Sequence, residues 1–183
     1  MPWRGLRIPI ILLVLAASLV VFWGARWLFN RFSIEQPLAD FLKGQSYVQT
    51  FEIKRDGTMV QISVLLAPVE NLKDTYGELD TGVRNILGGK LYEIVLRDKR
   101  DVQLKNAFYY SQFAVYEAVA RGNYREMVDY VNEQAAERGA TARVFIDQDR
   151  IYLQMKHDNN YLYEVIRSNS EVIPRKQAGQ SSV

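Results

Sequence analysis

The chain has 183 residues, a formal net charge of +2, no cysteine and a single histidine, His157. Without cysteine there are no disulfides, no thiolate chemistry and no sulfur-ligated zinc, and one histidine cannot build a multi-histidine metal site. All twenty-one acidic residues follow Phe32 together with nineteen of the twenty-three Lys and Arg, so the remainder is mildly acidic with no concentrated basic face, and no nucleic-acid partner is expected.

The first element is an uncharged run of eighteen residues from Ile8 to Ala25, with Arg4 and Arg7 before it and Arg26 and Arg31 after it. As a helix it covers about 27 Å, and continuing through Arg26 to Phe29 brings it to the roughly 30 Å of a hydrocarbon core. Trp3, Trp23 and Trp27 stand where interfacial aromatics are expected. Ala16-Ala17-Ser18 runs straight into Leu19-Val20-Val21-Phe22-Trp23, which does not suit a cleaved signal. The expectation is a single-pass membrane anchor within residues 1–32, with the lipid bilayer as partner, the N-terminus inside and the globular part extracytoplasmic.

Residues 33–45 read as a juxtamembrane helix or spacer, with Leu38, Phe41 and Leu42 on one side and Gly44 as its stop. Tyr47 to Lys54 and Met59 to Leu66 are strands of a hairpin closed by Arg55-Asp56-Gly57-Thr58. Pro68 suits a first helical turn, and Leu72, Tyr76, Leu79, Val83 and Ile86 or Leu87 recur at helical spacing up to Gly88-Gly89. Gly77 and Gly82 weaken that helix by about 1 kcal/mol each relative to alanine, and fit close packing against another backbone. A third strand runs from Leu91 to Arg97.

Asp98 or Asp101 caps a long helix ending at Arg121. Its stripe of Leu104, Ala107, Phe108, Ser111, Val115, Ala118 and Val119 is widened by Tyr109, Phe113 and Tyr116, which predicts burial on two sides. Gly122 breaks it. Asn123 and Glu126 form a capping-box-like start for the next helix, which ends at Gly139. Three strands close the domain, Thr141 to Ile146, Ile151 to Lys156 and Tyr161 to Ile166, and a disordered tail is expected over residues 168–183. The fold class is α+β: a transmembrane helix followed by a mixed domain, residues 46–167, of order ββαβααβββ. Its halves, 46–98 and 99–167, share one sheet or form two lobes.

Among chemistry-bearing residues, Arg97, Asp98, Lys99, Arg100 and Asp101 lie between a strand end and a helix start, where helix-terminal N–H groups and cations can hold an anion. The loop has no glycine turn, and its two aspartates repel an anion unless capping or Lys99 and Arg100 consume them. Asp147, Asp149 and Asp158 stand in hairpin turns without the spacing of a calcium loop. His157 lies in a polar turn with no nucleophile-elbow sequence anywhere, and Gly82, Gly88 and Gly89 do not have Walker or Rossmann spacing. Tyr109 and Tyr110, about 100° apart on a helix, and Tyr152, opposite in face to Ile151 and Leu153, are candidate protein-contact residues.

No catalytic residue, metal or cofactor is assigned. The expected function is a non-enzymatic, membrane-anchored interaction module, a subunit or assembly factor of a bacterial envelope complex that contacts other membrane or envelope proteins or a second copy of itself. The alternatives are an extracytoplasmic ligand-binding or sensor domain using the Asp98 to Asp101 loop, and an enzyme with Asp98, Asp101 or Glu117 as acid and base.

Overall fold

Gly57, at φ +59°, supplies the left-handed turn that pairs β1 (Val48–Asp56) antiparallel with β2 (Met59–Leu66). The computed structural model describes residues 8–30 and 34–168, with side-chain surroundings for 12–25 and 34–168. Helix α1 (Ile8–Asn30) and helix α2 (Gln36–Gly44) precede this hairpin. The chain then crosses over through α3 (Leu72–Leu87) to β3 (Tyr92–Arg97), which lies parallel to β2 from Val60↔Tyr92 to Leu65↔Arg97. A parallel neighbour needs such a crossover, and α3 uses it to cover the sheet.

Alternation along β2 sends Val60, Ile62, Val64 and Leu66 inward, against Leu72, Tyr76, Leu79, Val83 and Leu87 of α3 and Leu38 and Leu42 of α2. Helix α2 is therefore part of the core and not a spacer. A Cβ on Gly82 would run into the Phe41 ring, whereas one on Gly77 would meet nothing, so only Gly82 serves close packing. Asn71, not Pro68, starts α3: its side chain accepts from the N–H groups of Lys73 and Asp74.

The second half comprises α4 (Val102–Arg121), α5 (Tyr124–Ala136) and an antiparallel meander of β4 (Thr141–Ile146), β5 (Arg150–His157) and β6 (Asn160–Arg167). One face of the meander, with Ile151, Leu153, Met155 and Leu162, packs on Leu104, Ala107, Val115 and Ala118 of α4 and on Met127, Val131 and Ala135 of α5. The other face gives Tyr152, Tyr161 and Tyr163 to the first core. Tyr161 Oη donates to the Leu66 carbonyl at 2.6 Å, and Tyr163 Oη accepts from the Val69 N–H at 2.8 Å. The two sheets meet where Lys99 bridges Tyr161, whose N–H donates to the Lys99 carbonyl at 3.0 Å.

The α+β class stands, but the transmembrane part of the expectation is corrected. Among the described residues no helix is long and apolar enough to cross a membrane. The single-pass anchor, and the cell-membrane localisation with an extracytoplasmic domain that rested on it, are not supported. Trp3 and residues 169–183 lie outside the described residues, as do the side chains of Ile8 and Trp27.

Candidate functional site

In the loop from Arg97 to Asp101, the side chains of Asp98, Arg100 and Asp101 are taken up by internal bonds, while those of Arg97 and Lys99 are exposed. Asp98 is nearly inaccessible and accepts from Arg100 Nε and Nη2 at 2.7 and 2.6 Å and from the Tyr163 N–H at 2.8 Å. Arg100 Nη1 donates to Glu164 at 2.8 Å. Burial works against the Arg100 charge, but Asp98 and Glu164 outweigh it and hold its pKa above the ordinary guanidinium range. Asp101 caps α4 through the Leu104 N–H at 2.9 Å and pairs with His157 Nδ1 at 2.6 Å and Asn160 Nδ2 at 3.0 Å.

Partial burial pushes the Asp101 carboxyl up, yet the Leu104 N–H, His157 and Asn160 together hold it below its ordinary value. The hydrogen bond to Asp101 raises the His157 pKa in turn. These residues form a clasp between the start of α4 and the β5–β6 turn, and their acceptors are already taken. An anion meets satisfied carboxylates there, and the Leu104 N–H at the start of α4 is already taken by Asp101. Nor can Glu117 join Asp98 or Asp101 as an acid–base pair, because sixteen helical positions separate it from Asp101, about 24 Å along α4.

The turn aspartates are local as well. Asp147 accepts from the N–H groups of Asp149 and Arg150 and from Tyr152 Oη at 2.7 Å, while Asp158 sits at the opposite end of β5 with φ +51°. Among the described residues no group of three or more His, Asp or Glu could hold a metal ion. Tyr152, read from sequence as a contact residue, is 1% exposed. It packs edge-on to Tyr76 with centroids 5.8 Å apart, and burial with the nearby Asp147 pushes its hydroxyl up to about 12.

A polar centre that the sequence did not reveal lies beside it. Asp80, 4% exposed on α3, accepts from Arg84 Nη2 at 2.7 Å, Tyr92 Oη at 2.8 Å and Arg150 Nη1 at 3.2 Å. Arg150 also lies over the Tyr76 ring, 5.0 Å from its centroid. The members are turned to one another around Asp80, so the cluster ties α3, β3 and β5 together.

The outer side of α4 is different. Tyr109, Tyr110, Phe113 and Tyr116 are 54%, 45%, 62% and 59% exposed, so the predicted second buried side is not formed among the described residues. Tyr109 meets Tyr110 and Phe113 edge-on, with centroids 5.2 and 5.8 Å apart. Phe113 also borders a groove between α4 and α5, about 340 Å³ in volume, whose lining includes Glu117, Asn123, Glu126, Met127 and Tyr130. Tyr109 and Tyr110 thus fall on an exposed aromatic surface together with Phe113, Tyr116 and Tyr130. The signal that could have found it was an apolar stripe too wide for one covering layer. No family model matches the chain, and no curated protein matches it.

Proposed function

We propose that the chain is a non-enzymatic protein-interaction module that binds its partner through the outer face of α4. The observation that carries this reading is the run of Tyr109, Tyr110, Phe113 and Tyr116 in water on a well-packed helix. Large aromatics supply most of the energy of protein interfaces, and a contiguous exposed apolar patch on a folded domain commonly marks one. The commitment of Asp98, Asp101 and Asp80 to internal bonds supports a binding role over a catalytic one, and it counts against the loop from Asp98 to Asp101 as an anion site.

A photo-crosslinking amino acid placed at Phe113 in the full chain, in its native host, tests the proposal, with the same group at Lys54 on the far sheet as the control. One discrete adduct from position 113 and none from position 54 is the expected result. Indistinguishable adducts from both sites, or none from position 113, would overturn it.

A further inference from the structure

Resting on that reading, we infer that the partner presents a Lys or Arg side chain, which enters the groove between α4 and α5. The groove is aromatic on its walls and anionic at its rim. Phe113 and Tyr130 line it with Met127, and Glu117 and Glu126 stand beside them. Each carboxylate has only one oxygen engaged: Glu117 Oε1 with Arg121 at 2.6 Å, and Glu126 Oε2 with Asn123 Nδ2 at 3.0 Å. The second oxygens accept from no group among the described residues, and neither does the buried Oδ1 of Asn123. Residues 126, 130 and 133 fall on one flank of α5 by helical spacing, so Glu133 continues the acidic rim past Tyr130.

The far end of α5 already shows this chemistry within the molecule. The Arg138 guanidinium lies 4.5 Å from the Tyr110 ring centroid, with Nη1 donating to the Gln134 carbonyl at 2.7 Å and to Glu137 Oε2 at 3.1 Å. A guanidinium held between an aromatic face and a carboxylate is the arrangement that the groove at Phe113, Tyr130, Glu117 and Glu126 can offer to a partner. An aliphatic side chain gains nothing from those carboxylate oxygens, whereas a cation pairs with them and gains the ring quadrupole. Charge complementarity thus selects a basic amphipathic segment over a purely apolar or acidic one.

Two synthetic helical peptides with the same Leu/Ala face, one bearing Arg and the other Glu at its exposed positions, would be titrated into the full chain by amide NMR. The Arg peptide is expected to shift the signals of Phe113, Glu117, Glu126 and Tyr130, to bind at least tenfold more tightly than the Glu peptide, and to weaken as salt rises. The double variant E117Q/E126Q, checked for unchanged circular dichroism, should lose that tenfold preference. Equal binding of the two peptides, shifts confined to other acidic surfaces, or an unchanged preference in the double variant would overturn the inference. Crosslinking from position 113 in the E117Q/E126Q background separates the two ideas. A surviving adduct with no Arg preference leaves the interaction reading standing and sinks the cation, while no adduct even in the parent chain removes both.

Discussion

Helices α3 and α4 are built alike and finished differently. Each covers one face of a three-stranded sheet, each starts on an Asx cap, Asn71 or Asp101, and each ends at a left-handed glycine, Gly88 or Gly122. The aromatic of α3, Tyr76, is buried on Tyr152, and its outer side carries Asp74, Glu78, Arg84 and Asn85. The outer side of α4 carries four large aromatics in water. Folding accounts for every large apolar group on α3 and for only half of α4. The difference teaches that apolar content on a helix measures the surface that must be covered, not the partner that covers it.

The sharpest way to break this comparison is a stability series. Leu79→Ala, at a fully buried site on α3, should cost about 2–5 kcal/mol in denaturant unfolding. Gly82→Ala should cost about 1–3 kcal/mol, because the Phe41 ring must give way, whereas Gly77→Ala in the same helix should add up to about 1 kcal/mol. If the two glycines respond alike, α2 does not lean on α3 as described.

The caps divide the helices by pH, since that of α3 is neutral and that of α4 is shared with a histidine. The pKa of His157 is raised in the folded state, so its contribution is complete below the ordinary value of about 6.5 and fades as pH rises through the raised one. Asp101 is lowered, so its contribution fades only as pH falls through the acid range. Amide protection at Leu104 should therefore decline from pH 6 to pH 9 relative to that at Lys73. With one histidine in the chain, a single NMR titration reads the shift, and Asp101→Asn should lower it towards the ordinary value. The smallest effect belongs to Phe113→Ala, which should change stability by no more than about 0.5 kcal/mol. A loss of 2 kcal/mol there would mean that the aromatic face of α4 serves the fold.

Much of the architecture was legible because the punctuation is local. Asp56-Gly57, Gly88, Gly122 and Gly139 each stop or turn the chain by backbone geometry that neighbouring residues alone decide. The pairings that fill the candidate sites are not local. Asp80 and Arg150 are 70 residues apart, and Asp101 and His157 are 56 apart, so nothing in either neighbourhood announces the other. Tyr152 was misread because alternation shows which face of a strand a residue occupies, and this sheet is covered on both faces. The α4 stripe was read as doubly buried for a related reason: periodicity does not distinguish core from an exposed contact surface. Likewise the uncharged run from Ile8 to Ala25, with its arginine flanks and tryptophans, suits a membrane span in sequence, but among the described residues no helix is long and apolar enough to be one.

The three tyrosines that reach from the meander into the first core also set an order of events. Tyr161 and Tyr163 close their bonds to Leu66 and Val69 from more than ninety residues further along the chain. A nascent chain that has already made its first sheet and α3 still has one side of that core open to water, and it stays open until the final strand leaves the ribosome. The earliest part of the domain to be synthesised is the last to be sealed, and a chain cut short before residue 161 would leave it unsealed.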